Sequence, residues 1–166
     1  MKTPVCSVCL QSNILCASCS KNVAVGKISG LGVDIIRHIY ELSKSVKSLD
    51  KVEIEKIIDM ESLVVIICKK NDVASLVGKN GRITNDLRKK FGRQIKVVGN
   101  DEHRTMISNL IFPARLDTIG KLYSAGSESL KIRLQKNQLR NLPGKKEDLV
   151  EIIEELTGMK AELSVQ

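Results

Sequence analysis

Four of the five cysteines of the chain lie between positions 6 and 19. They form two Cys-x-x-Cys pairs, Cys6 with Cys9 and Cys16 with Cys19, with six residues between the pairs. Two such pairs let four thiolates converge tetrahedrally on one ion, and the pattern is typical of zinc. The short separation predicts a compact double knuckle, and a closed set of four cysteine ligands indicates a structural metal. An iron–sulfur cluster and disulfide bonds are the alternatives.

A second motif, Gly78-Lys79-Asn80-Gly81, joins two short segments with helical spacing. Glycine at both ends lets the backbone turn tightly and lets a sugar-phosphate chain approach without meeting a Cβ atom. The start of the following helix offers free amide donors and a partial positive charge, which suit a phosphate. The apolar residues just beyond the motif would form one wall of a groove for unstacked bases. The predicted contact residues are Gly78, Lys79, Asn80, Gly81, Arg82, Ile83 and Leu87.

The charge around this motif supports the same interpretation. From Lys69 to Lys96 there are nine Lys or Arg residues against two Asp residues, a net charge of +7. Such a density of positive charge favours a polyanionic partner. The alternative is a helix–turn–helix corner in which glycine serves geometry alone and the basic face is merely solvated.

The elements that must position the loop follow from the apolar spacing. A broad stripe predicts a helix over 33–46, preceded by a glycine-containing linker. Alternation of apolar and polar residues predicts a half-buried strand over 52–58. A continuous run of apolar, mostly β-branched residues predicts a central strand over 63–68. Helices over 73–77 and 81–91 then flank the loop, and a strand follows over 94–98. The order is therefore helix, strand, strand, helix, loop, helix, strand.

The remainder of the chain repeats this plan more weakly. The pattern predicts a helix over 102–110, strands over 118–123 and 130–134 joined by a turn, a short helix over 137–142, an amphipathic helix over 146–156 and a strand over 161–165. Where the first copy has its glycine loop, the second has Pro143-Gly144-Lys145-Lys146. Because Pro143 removes an amide donor, we expect this loop to contribute less to nucleic-acid contact than the first loop does.

The segment from Leu63 to Val98, with Val77-Gly78-Lys79-Asn80-Gly81-Arg82-Ile83 at its centre, resembles a KH domain. The helix and strand before it point to the type II arrangement, and residues 33–165 resemble the archaeal NusA-like factors, which carry two KH domains in tandem. The expected class is α+β, with a four-cysteine zinc module over 1–25, a type II KH domain over 33–100 and a degenerate second KH-like domain over 101–166. The resemblance implies single-stranded RNA as the ligand and transcription elongation or termination as a setting.

Composition narrows the class of function. The 166 residues carry a formal net charge of +8. With only two Phe, two Tyr and no Trp, the chain is not expected to bind nucleic acid by stacking bases on aromatic residues of a sheet. No apolar run has the length of a signal peptide or a membrane span, so we expect a cytoplasmic protein without a membrane partner. No nucleophilic, Walker or Rossmann motif is present, so neither an enzyme nor a small-molecule substrate is expected.

Two further side-chain types fit ordinary structural roles. Cys68 ends an apolar strand and is expected to be a buried small hydrophobe, and His38 and His103 are expected to be surface or boundary residues.

The leading hypothesis is an RNA-binding protein linked to RNA polymerase or the ribosome. The alternative is an adaptor whose zinc module docks onto such a partner, with incidental RNA affinity.

Overall fold

The computed structural model describes residues 1–165, which form two compact units. The first unit contains Met1–Met60 and Val64–Asn100, and the second contains Glu61–Leu63 with the chain from Asp101 onward. Each unit holds one three-stranded sheet and its own helices, so the expected α+β class is confirmed.

The first unit begins with three helices, and a three-stranded sheet follows with two more helices between its second and third strands. Its elements are α1 (Ser7–Gln11), α2 (Ala17–Ala24), α3 (Gly30–Ser43), β1 (Ile54–Asp59), β2 (Val64–Lys69), α4 (Val73–Val77), α5 (Arg82–Phe91) and β3 (Ile95–Asn100).

β2 lies at the centre of the first sheet, antiparallel to β1 and parallel to β3. Its five residues from Val64 to Cys68 are all buried, as a continuous β-branched run predicts for a strand covered on both faces. The parallel pairing of β2 with β3 requires a crossover, and α4, the glycine loop and α5 form it. The topology therefore places the loop at a corner of the crossover.

The stretch from Gly26 to Gly32, predicted as a linker, is partly helical. α3 begins at Gly30, and its N-cap Ser29 accepts a hydrogen bond at Oγ from the backbone N–H of Gly32 (2.9 Å). A Cβ atom on Gly32 would lie 2.9 Å from Cγ1 of Ile28. Gly32 therefore permits close packing at the start of the helix, and the linker prediction was wrong there because it counted glycines without their tertiary contacts.

The N-terminal helices share the core of the first unit. Val5, Cys9, Leu10 and Cys19 pack in one buried cluster with the apolar face of α3 and the inner face of the sheet. The backbone of Lys2 also bonds to the strand side, with its N–H donating to Val52 O and its carbonyl accepting from Ile54 N, both at 2.9 Å. The cysteine-containing segment is thus built into the first unit.

The second unit repeats the strand arrangement of the first. Its elements are α6 (His103–Ile111), β4 (Leu116–Ser124), β5 (Ser127–Leu134), α7 (Lys146–Thr157) and β6 (Lys160–Val165). β5 is central, antiparallel to β4 and parallel to β6. The short helix predicted over 137–142 is a 3₁₀ turn, Leu139–Asn141. Within residues 1–165 no helix combines the length and apolar character that crossing a membrane needs.

Candidate nucleic-acid interface and metal site

The glycine motif forms a tight corner between α4 and α5. Gly78 ends α4 with φ 76° and ψ 169°, Asn80 has φ 55° and ψ 29°, and Gly81 has φ 72° and ψ 19°. The conformation of Gly78 belongs to a region that only glycine enters at low cost, whereas Asn tolerates the left-handed region better than most residues. The residue types at these three positions therefore match the backbone that they adopt.

Gly78 also makes room for the first turn of α5. A Cβ atom at this position would lie 2.8 Å from Cγ1 and 3.1 Å from the backbone nitrogen of Ile83. The corner is closed by a hydrogen bond from Gly81 N to Gly78 O (3.1 Å) and one from Thr84 Oγ1 to Gly81 O (3.0 Å). The loop is thus shaped by its own contacts before any ligand binds.

The tip of the loop leaves its polar groups to solvent. Lys79, Asn80 and Arg82 are all exposed. Within the described residues no side chain caps the N-terminus of α5. The first amides of a helix lack partners inside the helix, so an uncapped start offers donors to an anion. The backbone N–H of Arg82 donates to Lys79 O, so the structure brings two cations together at a helix start that has no side-chain cap.

A groove of about 840 Å³ lies between this loop and the end of α3. One side is formed by the loop and α5 and the other by the chain that follows α3. Three cations and one carboxylate, Asp86, face it. The lining residues are Leu42, Ser45, Val46, Ser48, Gly78, Lys79, Arg82, Ile83, Asn85, Asp86 and Lys89. Sequence reasoning did not find the α3 side, since no local signal links positions 42–48 to the loop.

The carboxylate of the groove is engaged in a network. His38 Nε2 lies 2.7 Å from Asp86 Oδ2, and Lys90 Nζ lies 2.8 Å from His38 Nδ1. An ammonium group can only donate, so Nδ1 accepts and Nε2 carries the proton that it donates to Asp86. The negative charge of Asp86 is therefore partly screened from a ligand. His38, predicted as an ordinary surface or boundary residue, orients this acid.

Two of the predicted contact residues lie inside the protein. Leu87 has 0% exposure and does not line the groove, so its predicted contact with bases is replaced by packing in the core. Ile83 is 7% exposed and does line the groove. Helical spacing correctly places Ile83 and Leu87 on one face of α5. Only Ile83, in the first turn of the helix, reaches the surface of the groove.

The corresponding loop of the second unit uses its donors internally. The backbone N–H of Lys145, the residue that precedes α7, donates to Ser62 Oγ (2.8 Å), and the Lys145 ammonium pairs with Glu61. A Cβ atom on Gly144 would lie 2.8 Å from the same Ser62 hydroxyl. Together with Pro143, which has no N–H, these contacts leave little for a phosphate.

The four N-terminal cysteines converge. Their sulfur atoms all lie within 4.8 Å of one another, with 3.3 Å between Cys6 and Cys9 and 3.9 Å between Cys6 and Cys16. Four thiolates at about 2.3 Å from one zinc ion would be about 3.8 Å apart, so the cluster needs only small adjustments to hold a metal ion. The four ligands predicted from spacing are thus brought together.

Each pair of cysteines opens a helix. Cys6 and Cys16 are the N-cap residues of α1 and α2, and Cys9 and Cys19 follow in the first turns. The backbone N–H of Cys19 lies 3.5 Å from Cys16 Sγ, and this contact helps to lower the pKa of Cys16 to about 7. A backbone N–H in the same position, that of Cys9, lowers the pKa of Cys6. At Cys6 and Cys16 these amide donors therefore favour the thiolate form that a metal requires, whereas the pKa values of Cys9 and Cys19 are raised.

The site is anchored to α3. Arg37 Nε donates to the carbonyl oxygen of Cys9 at 3.1 Å, and Gln11 Nε2 donates to the hydroxyl of Tyr40 at 3.2 Å. The fifth cysteine, Cys68, lies in β2 with 0% exposure, and burial raises its pKa to about 12. Cys68 is therefore the buried hydrophobe that the sequence predicted.

Comparison with known proteins adds a fold relationship. No family model and no curated protein matches the chain. A solved structure described as "Crystal structure of APE1850" superposes with a TM-score of 0.55 and 17% sequence identity, covering 79% of this chain and 96% of that chain. At this identity the likeness shows a shared fold alone.

Proposed function

We propose that the chain binds single-stranded RNA through a type II KH-like unit in its first half, with Gly78–Gly81 as the phosphate grip. The observation that carries the proposal is the corner itself: a glycine-bounded, exposed and basic turn leads into an uncapped helix start beside a groove. The order of elements supports it, because helix, strand, strand, helix, loop, helix and strand follow one another as in that family.

The chemistry of recognition follows from the groove. Phosphates would accept hydrogen bonds from amides of the first turn of α5 beyond Arg82, whose N–H is bonded to Lys79 O, and would pair with the Lys79 and Arg82 side chains. Unstacked bases would lie along Ile83 and the end of α3, where Ser45 and Ser48 offer hydroxyl groups. The groove contains no aromatic side chain among its lining residues, so shape and backbone contacts dominate over stacking. The second KH-like unit is proposed to be degenerate, since its loop amide and lysine are already engaged.

The four cysteines are proposed to hold zinc. Sulfur ligands and a near-tetrahedral spacing suit zinc, and a site closed by four thiolates leaves no open position for catalysis. The ion would fasten α1 and α2 to α3 through the contacts of Arg37 and the shared core. The proposed setting is transcription elongation or termination, or another process linked to RNA polymerase or the ribosome in the cytoplasm.

One observation favours an adaptor as the second candidate. Val8, Ile14 and Val25 are large apolar residues with more than half of their surface exposed, and all three lie in the N-terminal module. Exposed apolar side chains gathered in one segment are typical of protein-binding surfaces. In that case the zinc module would dock onto a protein and RNA affinity would be incidental.

A double substitution in the loop tests the proposal. Lys79→Asp with Asn80→Asp removes one positive charge and adds two negative ones beside the phosphate. At about 6 Å in water each unit of charge is worth about 0.7 kcal/mol, so the change costs about 2 kcal/mol, or about thirtyfold in affinity. Binding to oligouridine is measured by fluorescence anisotropy at about 0.15 M salt, where the Debye length is about 8 Å.

The chain contains a matched control. Lys136 and Asn137 are also exposed, and Asn137 has the same left-handed backbone as Asn80, with φ 63°. Lys136→Asp with Asn137→Asp therefore makes the same change of charge at the same kind of turn, and we expect it to retain most of the affinity. Equal affinity of the loop variant and the wild type would reject the loop as the RNA grip and favour the adaptor.

A further inference from the structure

The groove beside the glycine loop contains a carboxylate among its cations. Asp86, on α5, shares the groove with Lys79, Arg82 and Lys89, and its side chain is 52% exposed. Among the residues that the structure describes, it is the one acidic side chain that lines this groove. A negative charge here repels the backbone of every RNA alike, whatever its base sequence. Asp86 therefore has to contribute something other than attraction of charge.

His38, on α3, fixes the position of this carboxylate. Its Nε2 donates to Asp86 Oδ2 at 2.7 Å, while Nδ1 accepts from Lys90 Nζ at 2.8 Å. The imidazole also packs edge-to-face against the ring of Phe91, with the ring centroids 6.0 Å apart and the planes at 80°. Its side chain is 16% exposed. Because the ring is held on three sides, the carboxylate that it contacts is oriented before any ligand binds.

The contact with His38 leaves most of the carboxylate's capacity unused. Within residues 1–165 no hydrogen bond or ion pair is made to Oδ1 of Asp86, and each carboxylate oxygen can accept two hydrogen bonds. Joining α5 to α3 does not by itself require a charge, since an asparagine would also accept a hydrogen bond from the Nε2–H group. The half-exposed carboxylate thus offers two acceptor oxygens side by side to the groove.

The pattern of donors on the bases matches one of them to this acceptor. Guanine presents two adjacent donors on its Watson–Crick edge, N1–H and the N2 amino group, and a carboxylate can accept both. Adenine, cytosine and uracil each place an acceptor beside the donor on that edge, and a carboxylate repels an acceptor. The remaining guanine acceptor, O6, suits a cation, and Arg82 and Lys89 lie at i−4 and i+3 from Asp86 on the same helix stripe.

We propose that Asp86 selects guanosine in single-stranded RNA, with His38 as the residue that positions it. The inference rests on the proposed RNA binding and deepens it: the loop holds phosphates whatever the sequence, and Asp86 reads one base. In a duplex the Watson–Crick edge of guanine is occupied by its partner base. The contact with Asp86 therefore requires an unpaired guanosine.

Changing one nucleotide of the ligand tests the proposal. The probe is a short oligouridine with a single guanosine at its centre, compared with oligomers that carry adenosine, cytidine or uridine there. By fluorescence anisotropy, the wild type should bind the guanosine oligomer about five- to 150-fold more tightly than the all-uridine oligomer. Asp86→Asn should remove this preference. Asp34→Asn is the matched control, because Asp34 is an exposed acid of α3 that pairs with Arg37 and does not line the groove; it should keep the preference.

Inosine tests the same contact from the side of the RNA. It lacks the N2 amino group of guanosine and keeps N1–H and O6. The wild type should therefore bind the inosine oligomer more weakly than the guanosine oligomer, and Asp86→Asn should bind the two equally. Equal wild-type affinity for the two oligomers would refute acceptance of both donors by Asp86.

Substitution of His38 tests its positioning role. His38→Ala should reduce the preference for guanosine and leave the affinity for the all-uridine oligomer unchanged. His38→Gln should restore part of the preference, because its side-chain amide can donate to Asp86. An equal loss for every oligomer would assign His38 a purely structural role and refute its part in base selection.

The outcomes separate this inference from the proposed function. A wild type that shows no preference for guanosine, or an Asp86→Asn variant that keeps it, would overturn the inference while the loop proposal stands on its own variant. If Asp86→Asn loses the preference while the Lys79 and Asn80 variant binds as the wild type does, base selection stands and the loop proposal falls. A wild type that binds none of the oligomers refutes both.

Discussion

Replacing Gly78 with alanine should destabilise the first unit far more than an ordinary glycine substitution. The backbone at Gly78, with φ 76° and ψ 169°, lies in a region that costs an alanine about 1–3 kcal/mol. The added Cβ would also lie 2.8 Å from Ile83 Cγ1, a contact that adds about 1–3 kcal/mol of overpacking. Because Ile83 is buried in the core, it has little room to move. We expect a loss of about 3 kcal/mol.

Gly92 provides the matched control for this substitution. It ends α5 with φ 63° and ψ 27°, and a Cβ atom there would meet nothing within 4 Å. Gly92→Ala therefore isolates the cost of the left-handed backbone, which is about 1 kcal/mol. The difference between the two variants, about 2 kcal/mol, measures the close approach of Gly78 to α5.

Urea denaturation followed through tyrosine fluorescence makes the measurement. The chain has two tyrosines, Tyr40 in the first unit and Tyr123 in the second, so a Tyr123→Phe background reports the first unit alone. With an m-value of about 1.5 kcal/mol per molar, the midpoint should fall by about 2 M for Gly78→Ala and about 0.7 M for Gly92→Ala. Equal midpoints for the two variants would refute the close approach of Gly78 to Ile83.

Two further outcomes are expected. The purified protein should hold one zinc ion per chain by elemental analysis. Because Cys9 and Cys19 lie in the core of the first unit, Cys9→Ser or chelation should lower its urea midpoint. A metal-free protein of unchanged stability would contradict this. Lys145→Ala with Lys146→Ala should weaken RNA binding less than the Lys79 and Asn80 variant does, since Lys145 is paired with Glu61; an equal or larger loss would assign the grip to the second unit.

Sequence pattern predicted the sheets and the loop because their signals are local. The β-branched run of β2 and the glycines at the ends of α4 and α5 each specify a structure within a few residues. Gly92 directly follows the helix predicted over 81–91, and it has the left-handed conformation that a helix end favours. The cysteine spacing likewise predicted four ligands that meet in space.

The remainder depended on contacts between distant segments. α1 and α2 are short and lack apolar periodicity, so their place in the core rests on packing against α3. Leu87 and Ile83 share a helix face, and only the tertiary fold decides that Leu87 is covered. The groove wall at Ser45 and Ser48 and the exposure of Phe112 are also properties of the folded surface. The spacing of residues along the chain does not predict these surface properties.

The cysteine cluster shares its buried surroundings with the strands and helices that carry the loop. A ligand that binds only the folded form adds stability that grows with the logarithm of its free concentration. Above the dissociation constant, each tenfold rise in free metal would therefore contribute about 1.4 kcal/mol to the first unit. The lifetime of the folded unit in a cell, and with it the amount of the protein, would then follow the supply of metal.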